Sequence, residues 1–241
     1  MKQVPAGGSA DFFTNRQAYV TIPEGFHCSE GGNVGELHVS NHPLILHKLT
    51  QLRDKGTEQR EFRKLIREVS LLIAYEATRD IQLKPRRVET PLATSADGYE
   101  ADESIGLVPI LRAGIGMADG FMELIPNVQI WHLGMYRDAA TLQPVQYYSK
   151  LPDEPTVQIC IVLDPILATG GTAIHAVNLL KGWGIQRIKY MGLLASPKGI
   201  EALHQVHPDV PIHLACIDDV LTEQGYVLPG LGDSGDRQFG T

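Results

Sequence analysis

The stretch "IVLDPILATGGT", residues 161–172, sets an acid, two glycines and two hydroxyls directly behind an apolar run that begins at Val157. Two chemistries fit it. The plainer one is a tight strand-to-helix turn, with Gly supplying unusual backbone angles and Thr a cap. The sharper one is an anion cradle. Glycines let successive N–H groups converge on one point, and the helix that follows adds the partial positive charge of its N-terminus. Thr169 and Thr172 add hydroxyl donors. Asp164 would repel a phosphate, yet a carboxylate accepts hydrogen bonds from vicinal hydroxyls, as on a ribose. A phosphorylated ribose therefore accounts for every part of the turn. On this reading a β-branched side chain at Gly171 fills phosphate space and resists the required backbone angles.

An anionic ligand calls for cations, and two arginines end other apolar runs. Arg112-Ala113-Gly114 follows Ile105–Leu111, and Tyr136-Arg137-Asp138 follows Val128–Met135. Their plainer roles are surface ion pairs, Arg112 with Asp119 and Arg137 with Asp138. Ala195-Ser196-Pro197 closes a further run. "GLGDSG", residues 230–235, has the letters of a dinucleotide fingerprint but opens no long helix, so it begins no βαβ unit. No GxxxxGK[ST] and no HExxH occurs. His42, His47, His175, His204 and His213 read as packing or surface groups, not as metal ligands.

These residues need elements to position them. Short apolar runs at Ile105–Leu111, Val128–Met135, Val157–Leu163, Ile188–Leu194 and Ile212–Cys216 alternate with helical patterns at Ala113–Leu124, Thr172–Trp183 and Lys198–Val206. That alternation predicts an α/β fold, a mainly parallel twisted sheet with helices on both faces. Ligands in such sheets bind outside the carboxyl ends of the strands, where the acid, the arginines and the Gly/Thr turn all fall. Upstream, "NHPLILHKLTQLRD" predicts a helix with Asn41 as N-cap and Pro43 in its first turn. "EQREFRKLIREVSLLIAYEATRD" predicts a second, with Phe62, Leu65, Ile66, Val69, Leu72 and Ile73 on one face. Residues 136–155 predict a projecting hairpin, and the Gly-rich residues 219–241 a loop, neither helix nor strand, folded closely over something. Residues 1–36 show no sustained period and read as a flexible extension to a single domain spanning 37–241.

Composition bounds the function. A chain of 241 residues with 43% hydrophobic and 20% charged residues suits one soluble globular domain. A net charge of −7 argues against a broad nucleic-acid or anionic-membrane surface. No apolar run is long enough to span a bilayer, and the acids Asp11, Glu24, Glu30 and Glu36 argue against a transit peptide. Cys28, Cys160 and Cys216 form no CxxC pair, which favours a reducing compartment, the cytoplasm.

Together, "VPILRAG" (108–114), "GMYRD" (134–138), "DPILATGGT" (164–172) and "GYVLPGLGDSGDRQFGT" (225–241) resemble the type I phosphoribosyltransferases, and within them the uracil phosphoribosyltransferase family. Asp164 followed by Pro165, where the wider group has two consecutive acids, narrows the resemblance to the uracil branch. The resemblance implies transfer of phosphoribosyl from 5-phosphoribosyl 1-diphosphate (PRPP) to uracil, giving UMP and diphosphate. It implies that Arg112 and Arg137 hold the diphosphate. The run Asp164, Pro165, Ile166, Leu167, Ala168, Thr169, Gly170, Gly171 and Thr172 holds the ribose and its 5′-phosphate. Asp233 meets PRPP through a hydrated Mg²⁺. Main-chain groups of Val227, Gly232 and Ser234, beside Asp233, hold uracil under a C-terminal hood. GTP as a candidate effector and a homo-oligomer, dimer or tetramer, are further implications. Two rivals stay open at this point: a phosphoribosyltransferase for another base, and a PRPP-sensing regulator that binds RNA.

Overall fold

The computed structural model describes residues 36–137 and 144–241, and structural statements concern these residues. Strand β1 (Leu37–Val39) leads into helices α1 (Pro43–Arg53) and α2 (Gln59–Ala77). The cap of α1 is His42 and not Asn41; its Nδ1 accepts from the Leu44 N–H at 3.2 Å. Along α2 the predicted face is buried at Phe62, Leu65, Ile66, Val69 and Ile73, with Leu72 half-buried.

Next comes a hairpin with no counterpart in the sequence reading. Strand β2 (Leu83–Thr90) pairs antiparallel with β3 (Ala93–Ala101), and neither joins another sheet. Charged residues dominate β2, which is exposed along nearly its whole length, so no alternation of burial marks it.

Strand and helix then alternate as predicted: β4 (Ile105–Leu111), α3 (Ile115–Leu124), β5 (Gln129–Ile130), β6 (Leu133–Arg137), β7 (Pro144–Ser149) and β8 (Ile159–Leu163). The second half holds β9 (Ile166–Leu167), α4 (Gly171–Trp183), β10 (Arg187–Met191), β11 (Leu194–Ala195), α5 (Pro197–Val206), β12 (Ile212–Leu214) and β13 (Cys216–Ile217). The main sheet runs β1-β12-β10-β8-β4-β6-β7, with β5 beside β4. All its pairs are parallel except β6 with β7. Apolar side chains fill both faces. Ile159, Ile161 and Leu163 pack with α1, α2 and α3, while Cys160 and Val162 pack with α4 and α5. The predicted hairpin arm is the β6–β7 pair, whose base lies inside the main sheet at Leu133; Asp138 lies outside the described residues.

Three runs predicted as single strands are interrupted, Val128–Met135 at Trp131-His132, Ile188–Leu194 at Gly192-Leu193 and Ile212–Cys216 at Ala215, while the run predicted to end at Leu163 does end there, with a short strand resuming at Ile166. The Pro165 carbonyl accepts from both Leu193 and Leu194, at 2.9 and 3.0 Å. The Leu193 carbonyl accepts from Ala215 and Cys216, at 3.1 and 3.0 Å. Two residues thus oppose one, as in a bulge, and the strands resume as a small parallel sheet, β13-β11-β9. Apolar character continues across the breaks at Leu193 and Ala215, which is why a hydropathy pattern shows neither.

The order of the sheet reverses beside β4. From β4 the chain goes outward to β6, then returns to the opposite side of β4 as β8. Arg112 follows the first strand of that divide and Asp164 follows the second. A reversal of this kind opens a crevice at the strands' carboxyl ends.

The segment from 219 onward is more regular than predicted. Strand β14 (Val220–Leu221) pairs antiparallel with β15 (Val227–Leu228), and helix α6 spans Ser234–Phe239. The Asp233 carboxylate caps α6 by accepting from the Asp236 N–H at 2.9 Å. Six largely polar residues are too few to show a helical period. At the other boundary, the Glu36 carbonyl already accepts from Ile212 at 2.9 Å, so the sheet begins one residue before the predicted domain. Among the described residues no helix is long and apolar enough to cross a membrane.

Candidate active site

A cleft of about 1000 Å³ opens at the reversal, and Arg112, Asp164, Thr172, Val227, Asp233 and Ser234 line it together. Pro165, Ile166, Ala168 and Gly232 complete the predicted wall; Leu167, Thr169, Gly170 and Gly171 lie in the same turn without lining the cleft. Arg137 ends β6 beside Tyr136, a lining residue, and its side chain lies outside the described residues.

Gly170 caps α4 with φ at +84°, a left-handed conformation. A Cβ there would also stand 2.9 Å from the Gly199 carbonyl and 3.0 Å from Ala202 Cβ, so only glycine fits. Gly171 is different. It lies in the first turn of the helix, and a Cβ would make ordinary contact, 3.6 Å from Pro144 Cδ. The backbone-angle argument made for Gly171 therefore belongs to Gly170; at Gly171 space remains the issue. The first N–H groups of α4 have no partner within the helix, as at any helix start.

The turn rests on α5. Buried Ser196 donates from Oγ to the Ala168 carbonyl at 2.5 Å and accepts from the Gly199 N–H at 3.0 Å, while its own N–H donates to Leu167 at 2.9 Å. A Cβ on Gly199 would come within 2.5 Å of the Ala168 oxygen. Ala195-Ser196-Pro197 is thus a prop behind the turn and not a wall of the cleft. Asp164 is held on both sides of its peptide: its N–H donates to Met191 at 3.2 Å, and its carbonyl accepts from the Tyr190 hydroxyl at 3.0 Å. Burial, with the Asp164 charge second, raises the Tyr190 pKa well above its ordinary value, so this donor stays protonated.

Arg112 does not pair with Asp119. One guanidinium nitrogen donates to Asp236 Oδ1 at 3.0 Å and another to Thr241 Oγ1 at 3.2 Å, and the group lies 5.9 Å from the centre of the Phe239 ring. Residues 223–229 and 232–235, in the segment predicted as a hood, line the cleft beside it. Gly230 and Gly232 turn with φ of +62° and +77°, and a Cβ on Gly230 would stand 2.2 Å from the Val227 carbonyl. Gln238, 1% exposed, donates from Nε2 to the carbonyls of Ala113 and Ser234, at 2.9 and 3.1 Å. The hood is tied to the C-terminal end of α1. Arg53 bonds both oxygens of Asp218 at 2.7 Å, and Asp218 Oδ2 accepts from the Gly230 N–H at 2.9 Å. Arg237 donates to the carbonyls of Leu52 and Leu231 at 2.5 and 2.6 Å and covers the Phe62 ring at 4.2 Å. Sequence reasoning names none of Tyr190, Arg53, Asp218, Arg237 or Gln238, because each works through partners far away in the chain.

Among the described residues no group of three or more His, Cys, Asp and Glu side chains could hold a metal ion. Three carboxylate residues among those described line the cleft, Asp164, Glu223 and Asp233, too few and too scattered to enclose a bare ion on their own. That suits magnesium, which keeps several waters and sits between one or two carboxylates and substrate phosphates.

The family model for uracil phosphoribosyltransferase matches residues 39–241. A uracil phosphoribosyltransferase of Roseiflexus sp. (strain RS-1) is 58% identical over 208 residues, covering 86% of this chain and 100% of its own. One of Geobacillus sp. (strain WCH70) is 50% identical over 208 residues, with the same two coverages. Among solved structures, the AQ2163 protein of Aquifex aeolicus superimposes with a TM-score of 0.80 at 34% identity, covering 84% of this chain and 97% of that one.

Proposed function

The chain belongs to the uracil phosphoribosyltransferase family, and from that premise we propose how its residues carry out the transfer. The enzyme makes UMP and diphosphate from uracil and PRPP, a step of pyrimidine salvage. Uracil nitrogen displaces diphosphate at the anomeric carbon, whose ribose turns cation-like as the bond stretches. Such a reaction needs positioning and charge stabilisation more than covalent chemistry. One observation carries the assignment: a single cleft gathers the strand-end acid, the Gly/Thr turn, Arg112 and the glycine-turned hood.

In this reading Asp164 accepts the ribose hydroxyls, and the N–H groups at the start of α4, with Thr169 and Thr172, take the 5′-phosphate. Arg112 and Arg137 hold the leaving diphosphate with planar forks. Main-chain groups of Val227, Gly232 and Ser234 meet the polar edge of uracil, where glycine lets backbone approach a flat base. Asp233 would hold Mg²⁺ through water, and the ion would neutralise charge on the diphosphate. Leaving out Mg²⁺ should abolish release of diphosphate; unchanged release in excess chelator contradicts that role.

The family likeness disfavours another base and an RNA-binding regulator. A homo-oligomer is supported by the β2–β3 hairpin, whose Leu83, Leu92 and Tyr99 are 59%, 99% and 75% exposed. A two-stranded ribbon is marginal alone in water, and a second copy of the chain supplies a cover. GTP as effector rests on the resemblance alone; a GTP titration of the initial rate tests it. The free thiols of Cys160 and Cys216 support a cytoplasmic setting. The test of the whole assignment is conversion of uracil and PRPP to UMP and diphosphate in equal amounts. Diphosphate appearing without UMP would overturn it.

A further inference from the structure

Arg112 meets the cleft with its guanidinium already engaged from one side. Asp236 takes one terminal nitrogen at 3.0 Å and Thr241 the other at 3.2 Å. Thr241 Oγ1 in turn donates to Asp236 Oδ1 at 3.0 Å, which closes a ring of three bonds. Phe239 lies three residues beyond Asp236 on α6, so both reach Arg112 from one face of that helix. The helix is not free to shift. Asp233 caps it at the Asp236 N–H, and buried Gln238 joins Ser234 to the carbonyl of Ala113, the residue after Arg112. Helix α6 therefore grips the leaving-group turn twice, by its backbone through Gln238 and by its cation through Asp236.

A half-exposed ion pair of this kind contributes little to stability. Its consequence is geometric. A guanidinium carries five N–H donors in one rigid plane, and those engaged by Asp236 and Thr241 set the direction of the rest. Released from Asp236, a long half-exposed side chain would spread over several rotamers. We propose that Asp236 is a positioning residue for Arg112: it fixes the arginine fork, so that placing the base-side hood and aiming the diphosphate clamp are one event. This inference rests on the reading of Arg112 as a diphosphate ligand.

The experiment is a double-mutant cycle on the full chain, with Arg112→Ala, Asp236→Ala and both together. It is read as kcat and KM for PRPP, with melting temperature alongside. Asp236→Ala is expected to lower kcat/KM for PRPP about 10-fold, chiefly through kcat, with its melting temperature near that of the parent. In the Arg112→Ala background the same change should cost less than about 2-fold, because its target is gone. Asp236→Asn keeps an acceptor oxygen and should retain more activity than Asp236→Ala; it also serves the cycle should the alanine variant not fold. Equal losses in both backgrounds would overturn the inference while leaving the role of Arg112 intact, and so would full activity of Asp236→Ala. Full activity of Arg112→Ala would overturn the reading of Arg112 and the inference with it.

Discussion

At the scale of single residues, neighbouring glycines have different duties. Gly170 is fixed by conformation and by the nearby Gly199 carbonyl, whereas Gly171 has ordinary room for a Cβ. Gly170→Ala should therefore destabilise the fold by about 1–3 kcal/mol, from left-handed strain plus crowding. Gly171→Ala should stay within about 0.5 kcal/mol of the parent. Urea midpoints check both. Gly171→Val should keep a native circular dichroism spectrum and lose PRPP affinity, since its bulk enters the phosphate's space. Tyr190→Phe removes a hydroxyl that donates to the Asp164 carbonyl, and should cost about 1 kcal/mol in the same measurement. Arg137→Lys keeps charge without the fork; a loss of roughly 10-fold or more in kcat/KM for PRPP is expected from steady-state kinetics. The placement of Asp164, Thr172 and Arg112 at strand ends beside the cleft is legible in the sequence, because each directly follows an apolar run or its turn. Arg53, Asp218 and Gln238 are not, since a charged or amide side chain announces no partner when that partner is more than a hundred residues away, as Asp218 is from Arg53.

At the scale of elements, the alternation of apolar runs and helical patterns discloses the parallel sheet, and β4 matches its predicted span from Ile105 to Leu111. The bulges at Leu193 and Ala215 do not show, because both residues are as apolar as the strands they interrupt, whereas the end of β8 shows in Asp164. The β2–β3 hairpin does not show either, since it has no buried face to impose a period of two. Strand β12 lies one strand in from the sheet edge, between β1 and β10. Buried His213 stacks on His38 of β1 at 4.5 Å, with Lys189 of β10 and Asp80 after α2 also acting on it. Burial first, then the His38 and Lys189 charges, push its pKa down to about 3 from 6.5, while Asp80 works the other way. Burial also lowers His204 and His207. The unfolded chain thus binds protons that the folded one refuses. Stability is full above the unfolded value of 6.5 and is lost as pH falls from there toward the His213 value of about 3. Urea midpoints should drop between about pH 6.5 and 5, and His213→Gln should drop less over that window. An identical slope in the variant would mean that other groups carry the loss.

At the scale of the whole molecule, the family match begins at residue 39, and a relative is covered over its full length by 86% of this chain. A chain beginning at Glu36, which keeps the bond from Ile212 to the Glu36 carbonyl, should retain parental kcat and KM. Loss of activity in a soluble version would mean that the preceding segment completes the site. Leu92→Ser with Tyr99→Ser, on the exposed hairpin, should shift the sedimentation coefficient toward monomer if that ribbon covers a second copy; an unchanged coefficient would place the interface elsewhere. In the proposed site a fixed main-chain rim reads uracil beside the PRPP-binding turn. Uracil presents acceptor, donor and acceptor along O2, N3–H and O4, and cytosine reverses two of these positions. Each reversal leaves a buried polar group unpaired, at about 1–3 kcal/mol, so discrimination should lie on the order of 30-fold to 10⁴-fold. The direct measurement is kcat/KM for uracil, 5-fluorouracil, cytosine and hypoxanthine under the same PRPP and Mg²⁺. Uracil should lead, 5-fluorouracil should follow closely because its hydrogen-bonding edge is unchanged, and cytosine should trail by at least about 30-fold. Cytosine within a few-fold of uracil would contradict the main-chain rim, and hypoxanthine ahead of uracil would contradict the account as a whole.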